Sequence, residues 1–140
     1  MRAALSQSVR LFGGQVLTNG RYAALLTASG TGCSLLGELA LTRWNADPIE
    51  DGDGFFLYLR DLDSGAFWSL GQQPTAGTAE RRSGRFGPRL TELLCRHEEI
   101  DACLEACVPA DIDGELRRVT LRNLGDRPRR IELTSYAEVV

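Results

Sequence analysis

Apolar and polar residues alternate along much of this 140-residue chain with the two-residue period of a β-strand. Residues 117–122 and 131–139 show the alternation most clearly, and each of these half-polar strands is expected to bury one face. Three shorter runs of aromatic and aliphatic residues lie at 39–44, 55–60 and 66–70, separated by clusters of Asp, Gly, Ser and Pro. Such punctuation is typical of antiparallel strands, so the pattern predicts an all-β fold.

Two hairpins are predicted from their turn residues. Asn19-Gly20 stands between two apolar runs and readily adopts the two positive φ angles of a type I′ turn. The segment from Asp61 to Gly65 supplies turn residues between the second and third aromatic runs. Residues 72–89, rich in Gln, Pro, Gly, Ser and Arg, are predicted to form a loop, and residues 1–14 a flexible amino terminus.

Residues 90–108 carry the one pattern that disputes an all-β fold. Apolar residues recur there with a helical period after Pro88, and Leu, Glu and Ala, which favour helices, are frequent. Taken alone, the periodicity predicts a helix for this segment.

Length, charge and cysteine content narrow the class of protein. A single domain over residues 1–140 is expected from the chain length. The net charge is −3, and nucleic-acid binding, which needs clustered positive charge, is not expected. No apolar run approaches the ~20 residues of a membrane span and no signal peptide is evident, so we expect a cytoplasmic chain without membrane contact. Its four cysteines are accordingly expected to be reduced.

Gly30-x-Gly32 follows an apolar run, as does the glycine turn of a nucleotide-binding unit. Asp47 and Glu50 lie near the expected distance of a ribose-binding acid. The third glycine of the motif is missing, so a tight β-turn is the preferred interpretation. A small nucleotide-dependent enzyme stays an alternative.

Metal sites can be drawn from two sets of side chains. Cys95, His97, Cys103 and Cys107 could bind zinc if they lay on a helix, but on a strand residues four apart are about 13 Å from each other, too far for sulfurs that each sit about 2.3 Å from one ion. If residues 90–108 form strands, no metal is assigned, and His97 is expected to be a solvated turn residue. Two acidic clusters could bind calcium. The first, Asp47, Glu50, Asp51 and Asp53, lacks the ligand spacing of a calcium loop. The second, Asp61 with Asp63, is explained by turn formation.

A series of longer motifs runs in order from about residue 15 to the end of the chain. They are Leu-Thr-Asn-Gly-Arg-Tyr at 17–22, Thr-Arg-Trp at 42–44 with Asp47, Tyr-Leu-Arg-Asp at 58–61, Ser-Gly at 64–65, Trp-Ser at 68–69, Gln-Pro at 73–74, Glu-Leu-Arg-Arg at 115–118 and Ser-Tyr-Ala-Glu at 135–138. In these motifs the chain resembles the amino-terminal β-sandwich of the inverting glycoside phosphorylases. That group holds cellobiose and chitobiose phosphorylases and the phosphorylase-like part of cyclic β-1,2-glucan synthase, the branch that the chain resembles most.

The resemblance implies an antiparallel, supersandwich-like β-sandwich. It makes residues 90–108 two strands, at 90–96 and 100–108, because tertiary context often overrides local propensity. The family sandwich continues for about as many residues again, so the sandwich is expected to be incomplete, in a piece of a longer protein or in a short homologue. Either would leave an unpaired sheet edge open to self-association.

The resemblance also implies a role without catalysis. In the family, the general acid and the sugar and phosphate contacts belong to a downstream helical barrel, so no catalytic residue and no cofactor are assigned here. We expect a structural and interface module of a carbohydrate-active protein, partnered by that barrel or by a second copy. The alternative is a free-standing glucan-binding domain that stacks an exposed tryptophan on a sugar.

The two hypotheses assign roles to particular residues. Trp44 and Trp68 are expected to anchor the core, with Arg43 or Arg60 paired to Asp47 or Asp61 where strands meet turns. In the alternative, the carbohydrate-binding residues are Trp44, Trp68, Arg43 and Arg60. Structural roles in turns are assigned to Asn19, Gly20, Asp47, Asp61 and Gly65.

Overall fold

The computed structural model describes residues 13–45 and 52–140, and this part of the chain consists of strands, turns and loops without a helix. The strands are β1 (Gly14–Thr18), β2 (Tyr22–Thr27), β3 (Gly32–Leu36), β4 (Leu39–Ala40), β5 (Phe56–Asp61), β6 (Phe67–Ser69), β7 (Arg81–Phe86), β8 (Thr91–His97), β9 (Ile100–Cys107), β10 (Leu116–Asn123) and β11 (Ile131–Tyr136). The all-β prediction is confirmed. Predictions that involve Asp47, Glu50, Asp51 or residues 1–12 lie outside the described residues.

The strands form three antiparallel sheets. The first sheet has the order β1-β2-β3-β4, the second β10-β9-β8-β7 and the third β11-β5-β6. Their inner faces share one apolar core, whose larger members are Leu17 and Leu26 from the first sheet, Leu59 and Trp68 from the third, and Leu93, Ile100 and Leu104 from the second. The antiparallel sandwich implied by the family resemblance is therefore present.

Strict alternation of buried and partly exposed residues shows why these segments form strands. In β9, Ile100 and Leu104 are buried, whereas Asp101 and Glu105 lie on the outer face. The same period holds in β2, where Tyr22 and every second residue after it are buried. Successive side chains of a strand point to opposite faces, so each strand gives one face to the core.

Residues 90–108 form the β8–β9 hairpin, so the strand prediction is confirmed and the helical periodicity was misleading. The hairpin closes through a two-residue turn at Glu98 and Glu99, whose φ angles are 45° and 65°. This is the type I′ geometry that the sequence predicted for Asn19-Gly20. Glutamate normally avoids positive φ angles. At this turn Arg129 donates a hydrogen bond to the carbonyl oxygen of Glu98 at 2.9 Å.

The hairpin at Asn19-Gly20 is confirmed, but its turn is not type I′. Gly20 has a φ of 91°, and Asn19 is absent from the described non-glycine residues with positive φ. The Asn19 side chain instead accepts the amide protons of Arg21 and Tyr22 at 3.0 and 2.8 Å. Its amide group donates to backbone carbonyls in the β9–β10 loop, which ties this hairpin to the second sheet.

Two further predictions were wrong in part. Residues 81–86, inside the predicted loop 72–89, form β7, in which Arg82 and Gly84 pair with Cys95 and Leu93 of β8. The expectation that each carboxy-terminal strand buries one face fails for β11, whose residues after Ile131 are exposed. Only β5 pairs with β11 in the described part of the chain, and Leu133 remains 45% exposed.

One nearly buried carboxylate, Glu115, joins the sheets. Its Oε1 atom accepts hydrogen bonds from the hydroxyl groups of Tyr22 and Ser34, at 3.1 and 2.6 Å, both in the first sheet. Its Oε2 atom accepts from Nε of Arg117 in β10 at 2.7 Å. Arg117 in turn donates to the carbonyl oxygen of Phe55, immediately before β5, at 3.0 Å and lies 4.5 Å above the Phe55 ring. We call Glu115, Arg117, Tyr22 and Ser34 the polar junction.

The charge of Glu115 is stabilised within this junction. Burial alone would raise the pKa of the carboxyl, but the Arg117 charge and the hydrogen bonds from Ser34, Arg117 and Tyr22 outweigh it, so the pKa lies below its ordinary value. Burial also raises the pKa of Tyr22, which keeps its hydroxyl protonated as a donor. The ion pair is therefore satisfied on both sides, as a buried pair must be to stabilise a fold.

We predict that Glu115→Gln lowers the free energy of unfolding by about 3 kcal/mol at neutral pH, because Arg117 then stays buried without its counter-ion. Since the folded-state pKa of Glu115 is lowered, its contribution is present above the ordinary pKa of 4.5 and is lost as the pH falls through the folded-state pKa. Urea unfolding followed by circular dichroism should therefore show the two proteins converging at low pH. Glu105→Gln is the matched control: its partner Arg118 is 74% exposed, so the loss of unfolding free energy should be far smaller.

Candidate binding face

The outer face of the third sheet carries three aromatic side chains on a diagonal. Phe67 of β6 lies opposite Arg60, Tyr58 lies two residues before Arg60 on β5, and Tyr136 of β11 lies opposite Phe56. Each step crosses to the next strand and moves two residues along β5. Positions 56, 58 and 60 alternate with the core positions, so all three rings project from the same face. We call Phe67, Tyr58 and Tyr136 the aromatic diagonal.

The rings of the aromatic diagonal face outward to different degrees. Phe67 and Tyr136 are 54% and 49% exposed, and Tyr58 is half-buried between them. The Tyr58 and Phe67 rings stack with their centroids 5.3 Å apart and their planes at 16°. Burial, with a smaller effect of Tyr136, raises the pKa of Tyr58, so its hydroxyl is a donor at neutral pH. The contact between the Tyr58 and Phe67 rings, with Tyr136 exposed on the same face, makes this face a candidate interaction surface.

Exposed polar side chains lie along one side of the aromatic diagonal. Arg60 and Glu132 are direct neighbours across β5 and β11, and Thr134 lies opposite Tyr58. All three are exposed. Together they supply a guanidinium, a carboxylate and a hydroxyl, so this side of the face offers both hydrogen-bond donors and acceptors.

The other side of the aromatic diagonal is covered. Phe56 and Ser69 project from the same face but are 3% and 0% exposed. The Ser69 hydroxyl donates to the Gly71 carbonyl at 3.0 Å and shares a 2.7 Å hydrogen bond with Thr75, so the segment after β6 folds over it. The diagonal thus lies at the border between a covered half and an open polar half of the sheet face.

Arg43 meets the β11 end of this face. Its guanidinium contacts Glu138 at 2.8 Å, and its backbone amide donates to the Glu138 carbonyl at 3.0 Å. Glu138 also accepts a hydrogen bond from the Tyr136 hydroxyl at 3.2 Å, which raises the pKa of that tyrosine. The predicted pairing of Arg43 with Asp47 lies outside the described residues, and the partner observed is Glu138.

The two tryptophans occupy opposite environments. Trp68 is 2% exposed within the core, as predicted, and is therefore not accessible to a sugar. Trp44 is 37% exposed, so its predicted place in the core is wrong. Trp44 lies beyond β4, where the chain has left the first sheet. His97, expected as a solvated turn residue, instead ends β8 half-buried, with its ring 4.7 Å from that of Trp68.

Arg60 does not pair with Asp61, because consecutive residues of a strand point to opposite faces. Asp61 is 1% exposed and binds Arg129, whose Nε atom lies 2.5 Å from Oδ2. The other oxygen of Asp61 accepts the amides of Asp63 and Ser64 at 2.7 and 3.2 Å. These backbone hydrogen bonds, and then Arg129, hold the pKa of Asp61 below its usual value despite burial.

A surface pocket of about 390 Å³ lies beside this turn. It is lined by Asp61, Asp63, Ser64, Arg127, Pro128 and Arg129. Asp61 is paired with Arg129, and Asp63 with Arg130 at 2.5 Å. The carboxylates of the pocket are therefore already neutralised by arginines. Within the described part of the chain, no three His, Cys, Asp or Glu side chains converge as a metal site would require.

The glycine turn at residues 28–32 does not begin a nucleotide-binding helix. It connects β2 to β3, and a Cβ atom on Gly32, whose φ is 155°, would lie 1.9 Å from the Leu25 carbonyl oxygen. Hydroxyl groups of Thr27, Ser29 and Thr31 hydrogen-bond to one another across the turn. The β-turn interpretation is confirmed, and the nucleotide-binding motif is excluded because a strand follows it.

Sequence reasoning missed the aromatic diagonal and the polar junction. Tyr58 and Phe67 were visible only as members of aromatic runs, and the pairing of β5 with β11 that aligns them with Tyr136 joins residues 70 to 80 positions apart. Glu115 could have been noticed as an acidic residue before an alternating strand, but its partners Tyr22 and Ser34 lie in a different sheet.

Comparison with known proteins places the whole described fold in one family. Residues 9–140 match the family model of the glycosyl hydrolase 94 supersandwich domain. The chain is 39% identical over 125 residues to the cyclic β-(1,2)-glucan synthase NdvB of Rhizobium meliloti (strain 1021), covering 89% of this chain and 4% of that protein. It is 31% identical over 100 residues to the N,N′-diacetylchitobiose phosphorylase of Vibrio proteolyticus, covering 70% of this chain and 12% of the relative.

A third relative is the solabiose phosphorylase of Paenibacillus borealis, 33% identical over 87 residues, or 62% of this chain and 11% of the relative. The chain thus spans a small part of each relative it matches. The described residues contain no helix that could span a membrane.

The different environments of the tryptophans give a direct prediction. Trp68→Ala should lower the free energy of unfolding by about 3–5 kcal/mol, because it empties a large core position. Trp44→Ala should change it by about 0.5 kcal/mol or less, as is usual for exposed sites. Chemical unfolding measures both. Acrylamide quenching of the Trp44→Phe and Trp68→Phe proteins is the control: equal quenching of the two remaining tryptophans would contradict the assignment.

Proposed function

This chain belongs to the glycosyl hydrolase 94 supersandwich domain family, and on that premise we propose that it is a non-catalytic module with a structural and interface role in a carbohydrate-active protein. The relatives are named for a cyclic β-(1,2)-glucan synthase and for phosphorylases of N,N′-diacetylchitobiose and solabiose. The parent is accordingly proposed to be of the glycoside phosphorylase or cyclic-glucan-synthase type.

The state of its carboxylates supports the non-catalytic role. Glycoside cleavage requires a carboxylic acid whose raised pKa keeps it protonated as a donor. The least exposed ion-paired carboxylates of the described chain, Asp61 and Glu115, are each paired with an arginine, and both pKa values are lowered. They are therefore held as anions that stabilise structure, which is the reverse of what a general acid needs.

The catalytic question can be tested directly. The purified chain is mixed with inorganic phosphate and either cellobiose or a β-1,2-linked gluco-oligosaccharide, and glucose 1-phosphate is measured enzymatically. We expect no release above a buffer blank. Release above the blank would contradict the proposal, and its loss in the Asp61→Asn or Glu115→Gln protein would indicate that the substituted carboxylate is needed for the reaction.

The interface role is supported by the open side of the sandwich. Both β10 and β11 are edge strands, and the core-facing Leu121 and Leu133 are 39% and 45% exposed. Unpaired edges with exposed apolar side chains favour association. We propose that this side contacts the downstream helical barrel of a parent enzyme or a second copy of the chain, inside the cytoplasm.

For a second copy, we predict that the mass of the chain measured by light scattering rises with concentration. Leu133→Arg should keep it monomeric, because a charge placed in an apolar contact is costly to bury. Leu62→Arg is the matched control, since Leu62 is 46% exposed but lies on the β5–β6 turn. A wild-type chain that stays monomeric at all concentrations would rule out self-association and leave the barrel as the proposed partner.

A second function, glucan binding, is favoured by one observation. Trp44, Phe67 and Tyr136 are large aromatic side chains exposed in a domain of a carbohydrate-active family. Arg43 and Arg60, both predicted as carbohydrate-binding residues, lie respectively at the β11 end and on the open half of the face that carries the aromatic diagonal. Trp68 has no part in this function because it is buried.

A further inference from the structure

We propose that the aromatic diagonal is a binding site for a neutral oligosaccharide several sugar units long. The proposal deepens the glucan-binding function above, on which it rests, and it assigns that function to Phe67, Tyr58 and Tyr136 in place of the tryptophans. Three properties of the face carry it: the spacing of the rings, the charge of their neighbours and the shape of their surroundings.

The spacing of the rings sets the length of the ligand. Phe67 and Tyr136 are separated by two strands and by four positions along β5. With about 4.8 Å between strands and about 3.4 Å per residue, their Cα atoms lie about 17 Å apart. One sugar ring cannot contact both, whereas a chain of linked sugars can follow the straight line from Phe67 across Tyr58 to Tyr136.

The charges beside the rings favour a neutral, hydroxyl-rich ligand. Arg60 is the direct cross-strand neighbour of Glu132, and Arg43 contacts Glu138 at 2.8 Å. Each cation therefore has an acid beside it, so the face carries no excess of either sign to select a phosphate or an acidic polymer. Guanidinium and carboxylate groups together donate to and accept from hydroxyl groups, and the Thr134 hydroxyl adds both capacities.

The face beside the aromatic diagonal is open to a ligand on one side only. Phe56 and Ser69 are covered, whereas Arg60, Glu132 and Thr134 lie open. A sugar chain on the diagonal would rest its apolar faces on the rings, with its hydroxyl groups directed toward this open polar half. The Phe67 ring stacks on the Tyr58 ring of the neighbouring strand, and this contact restrains the exposed Phe67 ring without a ligand.

The test is a calorimetric titration of the whole chain with glucose, cellobiose, cellotetraose and a β-1,2-linked gluco-oligosaccharide. Affinity should rise from the monosaccharide to the tetrasaccharide for at least one linkage. Phe67→Ala and Tyr136→Ala should each weaken that binding by about tenfold or more, since each removes one ring contact. Leu62→Ala is the control for an exposed apolar residue elsewhere and should not change the affinity. Trp44→Ala tests the tryptophan alternative. Thermal melts establish that each variant is folded.

Three results would overturn the proposal. Binding that persists in both ring variants, or that is lost only in Trp44→Ala, would place the sugar elsewhere. A wild-type chain that binds none of the sugars would remove both this site and the glucan-binding function, but not the scaffold role, which the phosphorolysis and mass measurements test separately. Loss of self-association in Phe67→Ala, without sugar binding by the wild type, would make the face a protein contact.

Discussion

The arrangement of the three sheets depends on the ion pair between Glu115 and Arg117. Apolar contacts fill the core, but the hydrophobic effect is non-directional and does not by itself fix how one sheet is oriented on another. The polar junction supplies direction: its carboxylate accepts from Tyr22 and Ser34 in the first sheet and from Arg117 in the second. Arg117 then reaches the Phe55 carbonyl, where the third sheet begins. The Glu115 carboxylate is therefore connected to all three sheets, to the third of them through Arg117.

The central strand of the third sheet is held at both ends by arginine. Arg117 binds the backbone immediately before β5, and Arg129 binds Asp61, the last residue of β5. Asp61 also closes the following turn through the amides of Asp63 and Ser64. Tyr58 lies between these two points, so the ring at the centre of the aromatic diagonal stands on a strand that is fixed at each end. A binding face built on rigid strands keeps its side chains in position without a ligand, which lowers the entropic cost of binding.

Local signals in the sequence predicted strands and turns better than they predicted burial. The runs around Phe56 and Trp68 and the turn at Asp61 were recognisable because alternation and turn residues act over a few positions. Residues 90–108 needed the family resemblance, since the local period is helical. The exposure of Trp44 and the pairing of Asp61 with Arg129 were beyond local reasoning, because each depends on which distant segments meet. The same limit explains why the aromatic diagonal, drawn from three strands, was visible only after the sheet register was known.

The proposed interface and the proposed sugar site use opposite faces of one strand and so do not compete. In β11, Leu133 lies opposite Leu59 and faces the core side, whereas Tyr136 lies opposite Phe56 and faces outward. A partner covering the open side of the sandwich would bury Leu133 and leave Tyr136 and Phe67 accessible. Conversely, a sugar on the aromatic diagonal would not reach the inner leucines. The two-residue period of the strand thus allows the proposed module to contact a partner with one face and the proposed glucan with the other.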